Sequence, residues 1–241
     1  MLRSKFIITF LILFSNIVMA DCNEDVIGAK YKILSSKKSN SDQIRYMTLW
    51  RNGNQVAHEY MNTHVTEIWE RTKNGQLRLV RHFDKDKRGI EYEPYEIKIQ
   101  HSEKDWQLKK QLITQSFIKS IKLQSTRNEG CKTLQSHAKV NSNNGNIKLE
   151  WLPQQKLINK LSTQSKKEHV TWQLVSVIKD SNKVKQLFRS RSDYLMTDYA
   201  DIGDNESDPF LIKMINLGFV AHGSSGMYDQ HGNELEGEHR H

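Results

Sequence analysis

Three Asn-Gly pairs, Asn52-Gly53, Asn74-Gly75 and Asn144-Gly145, each fall between runs of strand-forming residues. Such a pair accepts positive φ at little cost and is the strongest short-range signal for a β-hairpin. "IRYMTLW" and "QVAHEYM" flank the first pair, and "VTEIWERT" and "QLRLVRHF" flank the second. In the last of these, Leu77, Leu79 and Phe83 share one face while Arg78 and His82 share the other, the alternation of a half-buried antiparallel strand. "GIEYEPYEIKI" reads as a further strand broken at Pro94, where a ladder donor is missing. Residues 26–99 are therefore expected to form a meander of about six strands, with a polar loop at "SSKKSNSD".

The period then changes. "DWQLKKQLITQSFIKSIKLQ" places Trp106, Ile113, Phe117 and Ile121 on one helical stripe, with Ser102 or Asp105 as the cap. "CKTLQSHAKV", "NIKLEWL" and "HVTWQLVSVIKD" read as strands, and Pro153 is expected to open a short helix carrying Leu157, Ile158 and Leu161. The stretch 183–199 fits either a helix through Val184, Leu187 and Phe188 or a hairpin, with the balance toward the hairpin. Asp208 caps a helix over "PFLIKMINL" that Gly218 is placed to stop. The expected fold class is α+β: a single domain over 21–221, in which a curved antiparallel β-meander sheet is covered by two to four helices. The polar, His- and Gly-rich segment 222–241 follows as a tail. Curved sheets wrapped over a helix recur in exported carriers of lipids and lipoproteins, a likeness of architecture only.

Residues 1–20 stand apart from this pattern. Arg3 and Lys5 precede an unbroken apolar run from Phe6 to Phe14, and Val18-Met19-Ala20 supplies small residues for cleavage after Ala20. That is the pattern of a secretory signal peptide. Ser15 and Asn16 interrupt a stretch already shorter than the roughly 20 residues a bilayer span needs, so no transmembrane segment is expected after cleavage. Loss of Arg3 and Lys5 lowers the formal charge from +8 to +6, a modest excess that suits anionic surfaces outside the cytoplasm, and for an exported protein nucleic acid is not the expected partner. The two cysteines, Cys22 and Cys131, are most simply a disulfide in an oxidising compartment. Periplasmic or extracellular localisation follows.

Several chemistries can be argued down from spacing. "HEYMNTH" holds His58 and His64 six apart, where a zinc-protease helix needs four. "HGSSG" is one residue short of a serine nucleophile elbow and has no helix pattern after it. "DNESD" alternates carboxylates, but Pro209 and Ile215 stand where an EF-hand needs glycine and glutamate. His82, Asp84, Asp86, Arg88 and Glu91 gather around one turn, and a hydrolase there would need those side chains to converge in a cleft.

Two positive readings remain. Trp50, Trp69, Trp151 and Trp172 all fall in strands, where they pack a core or line a cavity for an apolar ligand. His222, His231, His239 and His241 offer nitrogen ligands to a divalent transition metal (Zn²⁺, Cu²⁺ or Ni²⁺), with no preformed geometry implied. The first expectation is thus an exported, soluble, non-catalytic binding protein that takes an apolar or amphipathic small molecule or an envelope protein partner and needs no cofactor. Metal handling through the tail is the alternative, and a hydrolase near 82–91 ranks third.

Overall fold

Six antiparallel strands open the fold, each paired with the next: β1 (Val26–Lys37), β2 (Gln43–Asn52), β3 (Gln55–Tyr60), β4 (Val65–Arg71), β5 (Leu77–Phe83) and β6 (Arg88–Tyr92). The computed structural model describes residues 25–37, 41–128, 132–141, 145–205 and 207–216, with short segments at 227–228 and 234–235. The Asn-Gly corners behave as the sequence predicts: Gly53, Gly75 and Gly145 have φ of 64°, 81° and 91°.

The helical stretch that follows is broken in two. Ser102 caps α1 (Glu103–Gln111) in a reciprocal box with Asp105, whose carboxylate accepts from the Ser102 N–H. Leu112 then turns left-handed at φ 67°, and Thr114 caps a second, shorter helix, α2 (Gln115–Lys119). Of the stripe expected from the sequence, Trp106, Ile113 and Ile121 enter the main core, whereas Phe117 is only half-buried against it and its neighbour Ile118 is buried instead.

This helical pair carries the chain from β6 to the far edge of the sheet. There a second meander begins: β7 (Lys122–Arg127), β8 (Leu134–Asn141), β9 (Gly145–Leu152), β10 (Leu157–Gln164) and β11 (Glu168–Ile178). Its last strand returns to pair antiparallel with the first strand of the chain, Gly28 opposite Ile178. The two meanders thereby become one open sheet of 12 strands, ordered β12-β6-β5-β4-β3-β2-β1-β11-β10-β9-β8-β7. Strand β12 (Leu195–Asp198) lies parallel to β6 at the other edge. The α+β class holds, and the sheet is larger than the meander expected from residues 26–99.

Two local expectations are overturned. No helix follows Pro153: residues 153–156 turn, and β10 begins at Leu157. A bulge between Ile158 and Lys160 breaks the strict alternation there. The hairpin at 183–199 is instead α3 (Ser181–Arg189) followed by β12. Asp180 caps α3 by accepting from the N–H groups of Asn182 and Lys183.

The helices divide between the two faces. On the inner face α1, α2 and α4 (Pro209–Asn216) cover a core that includes Tyr31, Met47, Leu49, Trp69, Leu79 and Leu149. On the outer face α3 seats Val184 and Leu187 against Trp50 and Ala57. Burying each such aliphatic side chain is worth about 1.5–3 kcal/mol, enough to fix a nine-residue helix in place. Beyond α4, a two-residue ribbon pairs Met227–Tyr228 with Glu234–Leu235.

Candidate functional site

The four strand tryptophans do not share one site. Trp69, Trp151 and Trp172 enter the inner core, whereas Trp50 lies on the outer face beneath α3. All four are buried. Trp172 meets Tyr31 edge-on with ring centroids 6.0 Å apart, Trp69 carries the Lys109 ammonium 3.8 Å above its ring, and Trp50 Nε1–H donates to Glu59 at 3.0 Å.

Aliphatic residues that sequence reasoning did not single out lie beside them. Pairing places Leu174 opposite Tyr31, Val170 opposite Ser35, Leu161 between Trp172 and Leu149, and Ile147 opposite Thr163. All four belong to the inner face, next to the core, yet Ile147, Leu161, Val170 and Leu174 are only half-buried. Phe117 of α2 is half-buried against the same core. Polar residues rim this patch: Ser35 Oγ donates to Glu168 at 2.6 Å, Thr163 sits between Val170 and Ile147, and exposed Lys139 faces Ile147. The arrangement can accept an apolar chain on β9–β11 and leave a polar head at the rim. Alternating apolar residues in β9 to β11 were the available signal, but only the register brings them together.

Deeper on the inner face lies a row of ionisable groups. His58, Glu67 and Arg81 occupy consecutive cross-strand positions on β3, β4 and β5, and all are buried. Arg81 donates to one Glu67 oxygen from both Nη2 and Nε, at 2.8 and 3.1 Å, and to Tyr92 Oη from Nη1 at 3.3 Å. His58 Nε2 lies 2.8 Å from the Lys109 carbonyl, the geometry of a neutral ring donating its N–H. Burial, followed by the Lys109 charge, lowers the His58 pKa to about 4.

The outer face holds a second polar network around Arg191, at the end of α3. Its Nε and Nη2 donate to the two oxygens of Asp84 at 2.8 and 2.9 Å, Nη2 also to Thr66 Oγ1 at 2.9 Å, and Nη1 to the Leu187 carbonyl at 3.0 Å. Burial opposes the guanidinium charge, but the Asp84 hydrogen bonds and charge outweigh it and hold the Arg191 pKa up. Tyr194 donates to Asp84 at 3.1 Å, and burial with the Asp84 charge raises its pKa. A shallow cavity of about 180 Å³ opens beside this network, lined by Ile68, Glu70, Arg78, His82, Phe188 and Arg191 among others. His82 packs edge-on against Tyr194, and burial plus the Arg191 charge pull its pKa down to about 4.

The charged turn at 82–91 does not form one cleft. Asp84 is held by Arg191, Asp86 by Lys213, Arg88 by Asp208 and Glu91 by Arg78. Asp86 and Arg88 both tie the turn to α4 and its cap, Asp84 ties it to the end of α3, and Glu91 pairs across to β5. Cys22 and Cys131 lie outside the described residues, as do His222, His231, His239 and His241 and residues 1–20, expected from the sequence to be a signal peptide. Among the described residues no group of three or more His, Cys, Asp or Glu side chains is placed to hold a metal ion. Nor is any helix there long and apolar enough to cross a membrane.

No family model matches the chain, and no curated protein matches it in sequence. Among solved structures it is similar to an uncharacterized conserved protein from Thermus thermophilus, with TM-score 0.40 and 6% identity over 72% of this chain and 91% of that one. It is also similar to PNGF-II, with TM-score 0.34 and 7% identity over 71% of this chain but only 31% of that one. A LolA superfamily protein from Nitrosomonas europaea matches with TM-score 0.29 and 8% identity over 64% of this chain and 85% of that one. At TM-scores of 0.29 to 0.40 these likenesses assign no function, and the reading of this chain rests on its own geometry.

Proposed function

We propose that this chain is an exported, non-catalytic binding protein that seats the apolar part of an amphipathic molecule on the inner face of β9–β11. The observation that carries the reading is the patch of Ile147, Leu161, Val170 and Leu174: contiguous by register, continuous with the core, and left half-exposed by the inner-face helices. A contiguous apolar surface next to a core, rimmed by polar groups, is the usual form of a site for an apolar ligand. Thr163, Lys139 and the Ser35–Glu168 pair supply polar contacts at its margin. The apolar leader ending at Ala20 and the two cysteines support an envelope or extracellular setting, with Cys22 bonded to Cys131.

Titration with an environment-sensitive fluorescent fatty acid tests the site. Saturable binding is expected in the intact chain and is lost in Leu161→Glu, whereas Val175→Glu, at an exposed position of the same sheet, retains it. No saturable binding, or binding indifferent to Leu161→Glu in a folded variant, overturns the reading.

A further inference from the structure

We propose that the outer face of the sheet, together with α3, docks onto an anionic lipid bilayer. Pairing puts Lys30 and Lys32 of β1, Lys160 of β10 and Lys148 of β9 on this face, in line with Gln173 and Thr171 of β11 and Ser162 of β10. Helix α3 lies on the same face with Val184 and Leu187 turned inward, and leaves Lys183, Lys185 and Arg189 exposed. Apart from the contact of Lys30 with the Tyr46 ring at 5.6 Å, none of these seven cations has an ion-pair or ring partner among the described residues.

Of the carboxylates near them, only Glu59 is matched by a cation, Arg191, while Glu150, opposite Lys160, and Asp180 are bonded to neutral donors and keep their charge. Glu150 accepts from Asn159 Nδ2 at 2.6 Å, Asp180 caps α3, and Glu59 accepts from Trp50 and Arg191. Seven cations set against the charges of Glu150 and Asp180 leave this face with a net positive field, the complement of an anionic surface.

Its shape and its apolar residues favour a bilayer over a soluble polyanion. Strands β2, β1, β11, β10 and β9 are consecutive neighbours in the sheet, so at about 4.8 Å per strand their outer residues spread over a broad surface. Beside the lysines of β1, on β2, stand Ile44 and Tyr46, 46% and 38% exposed, with Tyr46 opposite Lys32 and Ile44 opposite Leu34. Lysines set beside exposed aliphatic and aromatic side chains suit the boundary between headgroups and acyl chains, where both find partners. A nucleic acid or an acidic peptide would use the charges but leave Ile44 and Tyr46 in water.

Co-sedimentation of the mature chain with vesicles decides the matter. Vesicles of phosphatidylcholine containing phosphatidylglycerol are expected to pull the protein down, vesicles of phosphatidylcholine alone are not, and added salt weakens the association. Lys32→Gln and Lys160→Gln each lower the partition coefficient roughly fivefold, and Tyr46→Ser lowers it at unchanged charge. Far-ultraviolet circular dichroism and fatty-acid binding at the inner patch, both expected to be unchanged, separate this proposal from the inner-face reading. Equal binding to both vesicle types, no binding, unaltered partition in the lysine variants, or displacement by polyglutamate as effective as by anionic vesicles would each overturn it.

Discussion

Arg81 and Glu67 face each other across β5 and β4 with side chains 0% and 2% exposed, joined by a 2.8 Å contact in the middle of the inner face. Ion pairs withdrawn this far from water are costly to assemble and costlier to break, because removing one partner leaves the other charge unscreened. Glu67→Gln is expected to destabilise the fold by about 3–5 kcal/mol, read from urea denaturation. Replacing both residues with apolar groups of similar volume, Arg81→Met with Glu67→Leu, is expected to cost far less than the single change. A double variant as unstable as Glu67→Gln contradicts this account.

Two buried histidines set an acid limit. The folded-state pKa values of His58 and His82 are both lowered from 6.5 to about 4, so between those values the unfolded chain binds protons that the native chain refuses. Stability from this source is full above about pH 6.5 and is lost as pH falls toward 4, by up to about 1.4 kcal/mol per pH unit for each ring. Urea midpoints at pH 7 and pH 5 are expected to differ, and His58→Gln narrows the gap. A gap unchanged in both His58→Gln and His82→Gln is inconsistent with the assignment.

Gly28 allows the close approach of Trp50 on the outer face. A β-carbon at position 28 would lie 2.7 Å from the indole Cε3 and 3.2 Å from the Ile178 Cβ. Gly28→Ala should therefore cost about 1–3 kcal/mol through overpacking, visible as a lower thermal midpoint. Adding Trp50→Leu to Gly28→Ala should recover part of the loss. If Gly28→Ala alone is neutral, the indole is not wedged there.

Lys87 holds a left-handed turn at φ 50° and is exposed, so its strain serves no packing. Lys87→Gly removes a left-handed penalty of about 1–2 kcal/mol but adds unfolded-state entropy of about 0.5–1 kcal/mol. The expected net is a gain below about 1.5 kcal/mol, measured as a raised urea midpoint. A lower midpoint would show that the turn draws its stability from the Lys87 side chain.

The first six strands were legible because each signal was local. An Asn-Gly corner and period-two alternation lie within a dozen residues of each other and need no partner to be read. Residues 157–161 misled for an equally physical reason: the bulge after Ile158 puts two apolar residues in succession and imitates a helical stripe. At 183–199 the decisive fact was distant, since Val184 and Leu187 are helical against Trp50 and Ala57, which no local pattern reveals. The half-exposed patch of Ile147, Leu161, Val170 and Leu174 was hidden similarly. Each residue looks like ordinary strand filling until register aligns it with its neighbours.

The pairing of β1 with β11 has a kinetic consequence. Gly28 and Ile178 stand opposite each other although about 150 positions of chain separate them. Closing so long a loop is slow, and hairpins on either side can form well before it. A nascent chain must therefore carry an open seam until β11 has been made. During that interval the bare margin of β1 can recruit stray strands, and any chaperone that escorts this protein would be needed most at the seam.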